Sequence, residues 1–149
     1  MRILVVCMGN ICRSPTGEAV LRSKIEQRGL DIEVDSAGTI GFHQGNPPDP
    51  RSMEAGKTRG YSFVGMLSRK VANNDFVDFD MILAADNENL SDLKARCPAD
   101  LQHKLSLFLS HADCGYDEIP DPYYGGGNGF ELVLDLIEQA SDELLNKLS

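Results

Sequence analysis

The sequence predicts an α/β protein with three layers: a four-stranded parallel sheet carrying helices on both faces. Two observations point there. Short continuous apolar runs at 3–6 and 81–85 read as strands buried on both sides. Stretches of helical periodicity alternate with the strands, which is the signature of parallel sheets with crossover helices. With 149 residues, no internal repeat and no linker-like stretch, residues 1–149 are expected to form a single domain.

The elements follow in order. The first strand stops at Cys7, and a loop of mostly compact residues runs through Met8, Gly9, Asn10, Ile11 and Cys12. Ser14 and Pro15 mark a helix start, Ser as N-cap and Pro in the first turn. Ala19, Val20, Leu21 and Ile25 give that helix a buried side, and Gly29 is placed to end it. Ile32, Val34 and Ser36-Ala37-Gly38 read as the second strand. Residues 41–51 are rich in Gly and Pro and form a loop, followed by a short helix over about 52–58. After the third strand, at 81–85, Asp86 caps a helix that carries Leu90 and Leu93 and stops before Pro98. The alternation of Leu105, Leu107 and Leu109 predicts the fourth strand. Residues 120–129 form a second loop, and Asn128 with Glu131 resembles a capping box. Phe130, Val133, Leu134, Ile137, Leu144 and Leu148 then recur at helical spacing.

Composition excludes several classes. The formal net charge is −9, from 14 basic and 23 acidic residues, so no general nucleic-acid binding is expected. The apolar start MRILVVC is too short for a secretory h-region, and no run approaches a membrane span. A cytoplasmic protein without membrane association is the expectation. The four cysteines, Cys7, Cys12, Cys97 and Cys114, have neither C-x-x-C nor zinc-ligand spacing. No metal and no cofactor is expected, and a disulfide scaffold does not fit a reducing compartment.

Ligands of open α/β sheets sit beyond the carboxyl ends of the strands. Cys7 lies at such an end, and the next loop leads into a helix N-terminus. Backbone N–H groups of such a turn converge, and the helix adds unpaired donors and the positive end of its dipole. Gly9 and Asn10 are the residues there that most readily take positive φ. An anion cradle of this kind also favours a thiolate, which makes Cys7 a candidate nucleophile. Arg13 can offer two parallel N–H groups to two phosphate oxygens. Ser14 can donate to the sulfur, cap the helix, or both. The chemistry needs only one thiol, so Cys12 has a packed side chain as its alternative reading.

The run V-C-M-G-N-I-C-R-S-P resembles the active-site signature of the low-molecular-weight protein tyrosine phosphatases. The similarity extends over nearly the whole chain, through Asp35-Ser36-Ala37-Gly38, Pro48-Asp49-Pro50-Arg51, Phe79-Asp80 and Asp121-Pro122-Tyr123-Tyr124-Gly125. From the residues alone, Asp121 between two prolines is either a turn aspartate or a candidate acid. The resemblance implies the second: Asp121 protonates the leaving tyrosine oxygen, Cys7 attacks phosphorus and Arg13 clamps the phosphate.

The resemblance further implies a substrate slot walled by Met8, Ile11, Phe42, His43, Tyr123 and Tyr124, with the loop from Gly9 to Cys12 and Ser14 around the phosphate. Phe42 and the tyrosines read otherwise as partly buried aromatics. Ile11 stands where the arginine-phosphatase branch commonly has threonine, and so favours phosphotyrosine. Asn10, Ser14 and Ser36 are implied supports of the loop, and Met66 stands where many members have a histidine. The resemblance also implies a reversible Cys7–Cys12 disulfide under oxidation. Tyrosine-phosphorylated proteins are the expected partners, and a monomer with at most weak self-association is the expected state. Two rivals remain on the sequence: a thioredoxin-coupled arsenate reductase, with Cys97 and Cys114 as its relay, and a non-catalytic phosphate-binding module.

Overall fold

The computed structural model of the chain describes residues 1–122 and 128–149. Its element order is β1 (Arg2–Cys7), α1 (Arg13–Arg28), β2 (Glu33–Gly38), α2 (Pro50–Thr58), α3 (Asp75–Asp78), β3 (Met81–Ala84), α4 (Asn87–Arg96), β4 (Leu105–Leu107) and α5 (Gly129–Leu148). Single 3₁₀ segments flank β4 at Ala99–Lys104 and Phe108–His111. The four strands form one sheet in the order β2-β1-β3-β4, and every pair is parallel.

β1 is central because nothing in its middle tolerates water. Ile3, Leu4, Val5 and Val6 are all fully buried. Each such side chain contributes roughly 1.5–3 kcal/mol of burial energy. Their alternation feeds two cores. Ile3, Val5 and Cys7 face a cluster with Val20, Leu21 and Ile25 of α1 and Val133, Leu134 and Ile137 of α5. Leu4 and Val6 face the other side, with Phe76 of α3 and Leu93 of α4. Helices therefore cover both faces, as the run of uninterrupted apolar residues in β1 requires.

Several local expectations needed correction. α1 begins one residue before Ser14: Arg13 is already helical, Cys12 stands at the N-cap position, and no side chain caps the helix. Ser14 is diverted because its hydroxyl is bound to other side chains (below). β4 ends at Leu107, and Leu109 lies in the following 3₁₀ segment. There Phe108 and Leu109 are both buried, at 1% exposure each, which an alternating strand with one wet face does not allow. The capping box at α5 is not formed: Asn128 stands at the N-cap without a side-chain bond. Glu131 instead accepts from Arg59 at 2.6 Å. Arg59 also pairs with Asp135 and Glu138, so the end of α2 is tied to α5. Other signals hold as expected: Gly29 ends α1 at φ 66°, and the Asp86 carboxylate accepts from the Asn89 N–H at 2.8 Å.

A small third cluster of Ala19, Phe63 and Met66 packs beneath α2. A Cβ on Gly56 would lie 2.5 Å from Cε2 of the buried Phe63 ring. Gly56→Ala should therefore cost about 1–3 kcal/mol through overpacking, against the roughly 1 kcal/mol that alanine gains in a helix. Urea denaturation checks the sign.

Candidate active site

The segment after β1 folds into a cup with its carbonyls turned away. Cys7 O accepts from Thr39 N–H, Met8 O from Ile40 N–H, and Ile11 O from Asp49 N–H, at 2.9, 3.1 and 2.7 Å. Gly9 O accepts from the Ser68 hydroxyl at 3.0 Å. Among the described residues, the N–H groups of Met8, Gly9, Asn10, Ile11 and Arg13 have no protein acceptor. Donors thus gather on the inner side, which is what an anion cradle demands.

One residue fixes the turn. Asn10 has φ 57° and is the only non-glycine with positive φ among the described residues. Its side chain is 2% exposed and makes three bonds. Oδ1 accepts from the Arg69 N–H at 3.0 Å, while Nδ2 donates to Ser14 Oγ at 2.8 Å and to Ser36 Oγ at 3.0 Å. Gly9 does not share the positive φ expected of it. It is small for another reason: a Cβ there would lie 3.0 Å from the His43 ring.

The Asn10 bonds also set proton direction. Ser14 Oγ accepts from Asn10, so its own proton is free to go elsewhere. Cys7 Sγ lies 3.0 Å away and Ala37 O 3.4 Å away, and the shorter contact favours the sulfur. Ser14 is buried, and the donation stabilises a thiolate.

Arg13 is 6% exposed and sits at the opposite rim. Its Nη1 donates to Asp86 Oδ2 at 2.7 Å and to Ile119 O at 3.1 Å. Among the described residues its hydrogen bonds leave from Nη1 alone, so Nε and Nη2 present their pair of donors elsewhere. Burial works against the guanidinium charge, but Cys7, Asp86 and Asp121 outweigh it and hold the pKa above the ordinary arginine value. Asp86 therefore does two things at once: it caps α4 and orients Arg13.

A cup of about 140 Å³ is lined by Cys7, Met8, Gly9, Ile11, Cys12, Arg13, His43 and Asp121. Phe42 is not in that wall: it is 81% exposed and stands edge-on against His43, with centroids 4.8 Å apart. Tyr123 and Tyr124 lie outside the described residues. Cys7 and Cys12 are both buried, and neither is in a disulfide.

Two supporting residues, Glu18 and Arg69, gave no signal in the sequence, and a third, Gly38, gave a faint one. Ser36 donates to Glu18 Oε1 at 2.7 Å, and Glu18, itself 3% exposed, pairs with Arg22. Met66 stands apart in its apolar cluster, so Glu18 is the group that closes the network. Arg69 ties the Asn10 partner in place through Asp35 and Asp75, at 3.1 and 2.9 Å. Gly38 ends β2 where a Cβ would lie 2.6 Å from Met8 O and 3.2 Å from Asn10 N. The small run Ser36-Ala37-Gly38 was its only sequence signal.

Fold and cup together define a class: an α/β protein with a thiol-centred anion site at the carboxyl end of a parallel sheet. The family model of the low molecular weight phosphotyrosine protein phosphatase matches residues 2–149. The chain belongs to this family, whose members are hydrolases. It is 43% identical over 134 residues to the Schizosaccharomyces pombe low molecular weight phosphotyrosine protein phosphatase, covering 87% of this chain and 85% of the relative. It is 41% identical over 146 residues to the Bacillus subtilis low molecular weight protein-tyrosine-phosphatase YfkJ, covering 96% and 92%. The crystal structure of a protein tyrosine phosphatase from Entamoeba histolytica with Hepes in its active site superposes with a TM-score of 0.95 at 42% identity, covering 99% of this chain and 96% of that one.

Two outcomes test the cup. Gly38→Ala pushes on loop backbone, and a displacement near 1 Å should cost about a hundredfold in kcat/KM, with less loss in thermal stability. Burial raises the Glu18 pKa above its ordinary value, despite the opposing Ser36 and Arg22. The stability Glu18 contributes is thus present below its unfolded pKa and lost as pH rises through the folded one. Glu18→Gln should gain on the parent as pH rises from acid to neutral, and denaturation at several pH values reads this directly.

Proposed function

We propose that residues 1–149 act as one phosphatase domain that hydrolyses phosphotyrosine on proteins through a cysteinyl-phosphate. The observation that carries this reading is that the Cys7 thiol, Arg13 and Asp121 line one small cup, and that the N–H groups of Met8, Gly9, Asn10, Ile11 and Arg13 have no acceptor among the described residues.

The Cys7 thiolate attacks phosphorus, and the bond to the tyrosine oxygen breaks. Asp121 gives that oxygen its proton, so tyrosine leaves neutral. The loop N–H groups and the Nε and Nη2 side of Arg13 bind the equatorial oxygens, whose charge grows in the transition state. Asp121, now a carboxylate, takes a proton from the water that attacks the cysteinyl-phosphate. Sulfur departs as a thiolate, eased by the Ser14 hydroxyl.

Substrate preference follows from the walls. Met8 and Ile11 offer apolar surface, and His43 adds a ring backed by Phe42. An apolar Ile11 gives no hydrogen bond to a guanidinium, which favours phosphotyrosine over phosphoarginine. The formal charge of −9 supports protein rather than nucleic-acid partners. No helix among the described residues is long and apolar enough to cross a membrane. A cytoplasmic monomer completes the reading. The arsenate-reductase rival is weakened by geometry: Cys97 packs in the core on one sheet face and Cys114 against the core on the other. Burial pushes the Cys97 thiol pKa up, which suits a packed side chain better than a relay.

Hydrolysis of p-nitrophenyl phosphate and of a phosphotyrosine peptide tests the reading. Cys7→Ser should remove at least a thousandfold of both activities. Asp121→Asn should cost about 10²–10⁴-fold on phosphotyrosine and much less on p-nitrophenyl phosphate, whose leaving group needs no proton. Faster turnover of phosphoarginine, or thiol-dependent arsenate reduction without ester hydrolysis, would overturn it.

A further inference from the structure

Beside the cup runs a second, larger groove of about 440 Å³, which shares Met8, Arg13 and Asp121 with it. Its remaining wall is strongly acidic. Asp86, Glu88 and Glu118 contribute carboxylates, with Arg13 as the only cation among the described residues of the wall. These charges are unevenly spent. Asp86 serves Arg13 and the Asn89 N–H, and Glu118 accepts from the Asn87 N–H at 2.9 Å. Glu88 has no hydrogen-bond or ion-pair partner among the described residues. The groove therefore keeps a negative surplus.

Asn89 supplies an independent observation. It belongs to the groove wall and is 2% exposed, yet its Oδ1 has no hydrogen-bond partner among the described residues. Buried acceptors are almost always satisfied. This one calls for an N–H donor, and so does the surplus of carboxylates. An anion is repelled here, and an apolar occupant would strip water from carboxylates without repaying them. Among the described residues no cluster of three or more His, Cys, Asp or Glu side chains is placed to hold a metal ion. A flexible cationic side chain meets every requirement: its stem lies on the apolar parts of the exposed Met8 and the half-buried Pro120, and its head donates to the acidic wall.

We propose that this groove is a subsite for a lysine or arginine side chain flanking the phosphotyrosine of a substrate protein. The inference rests on the phosphatase reading, because the groove adjoins, across Met8, Arg13 and Asp121, the cup proposed to bind the phosphotyrosine. Phosphoryl binding brings the flanking residues to its mouth, and the acidic wall then sorts them by charge. Glu88 and Glu118 are the specificity-determining residues, and Asn89 supplies a neutral acceptor.

The test uses phosphotyrosine peptides that differ only in carrying lysine or glutamate at the two positions on either side of the phosphotyrosine. The lysine peptide should have about five- to tenfold higher kcat/KM at low ionic strength, and the ratio should narrow with salt. Glu88→Lys with Glu118→Lys, both at exposed positions, should reverse the preference. With Cys7→Ser protein, the side-chain amide resonances of Asn89 should shift on adding the lysine peptide and stay in place with the glutamate peptide. Equal kcat/KM for the two peptides, alongside normal turnover of p-nitrophenyl phosphate, overturns the subsite and leaves the phosphatase reading intact. If p-nitrophenyl phosphate and both peptides all resist hydrolysis, the phosphatase reading itself falls and the subsite with it.

Discussion

The site depends on one primary amide. Asn10 occupies a backbone conformation that costs a non-glycine residue on the order of 1–2 kcal/mol, and it is held there by three hydrogen bonds. Those bonds have a fixed polarity. Because Oδ1 faces a backbone donor, Nδ2 faces the two serines, and the Ser14 proton is left for the sulfur at 3.0 Å in preference to the Ala37 carbonyl at 3.4 Å. A glycine would accept the same backbone angles more cheaply, but it would leave the serine proton undirected. The asparagine combines a strained turn and a directed proton in a single side chain.

Support for this amide comes from several parts of the chain. Arg69 reaches it from the loop before α3, Ser36 from β2 and Ser14 from α1. Each anchor is itself held: Arg69 by two aspartates, Ser36 by Glu18, Ser14 by its place in the first turn of a buried helix. β1 carries the thiol to the rim, and its fully buried residues leave the strand little freedom to shift. The sheet order places β1 between β2 and β3, so that the residues following each of these strands converge on the cup. This is the usual gain of a parallel sheet: its loops at one edge are close in space although far apart in sequence.

Most of the architecture was legible because its signals are local. Uninterrupted apolar runs gave β1 and β3, helical spacing gave α1 and α5, Gly29 gave the end of α1 and Asp86 the start of α4. The failures share one cause, a tertiary partner that outbids a local one. Ser14 leaves its capping role for Asn10 and Cys7. Glu131 leaves the start of α5 for Arg59. Leu109 turns inward with Phe108, so that a period-two pattern ends in a 3₁₀ turn. In the site, the loop from Cys7 to Ser14 was readable because phosphate cradles have a compact sequence form. Glu18 and Arg69 were not, because a charged residue on a helix or in a loop gives no sign that it is buried or bridging. Gly38 was half-visible: small residues were plain, but the backbone atoms that exclude a side chain belong to another segment.

Arg13 joins two jobs that are usually studied apart. The same guanidinium that faces the cup holds the carbonyl of Ile119, two residues before Asp121, while the Ile119 N–H is fastened to Ala85 at the end of β3. The positions of Arg13 and of the segment leading to Asp121 are thus mechanically linked across the rim. Under the proposed mechanism, a small molecule that captured the Nη1 edge of this arginine would disarm proton delivery by Asp121 from the side, without touching the Cys7 sulfur. Inhibitor chemistry aimed at that hinge need not mimic a phosphate at all, and so escapes the poor membrane permeability that doubly charged mimics carry with them.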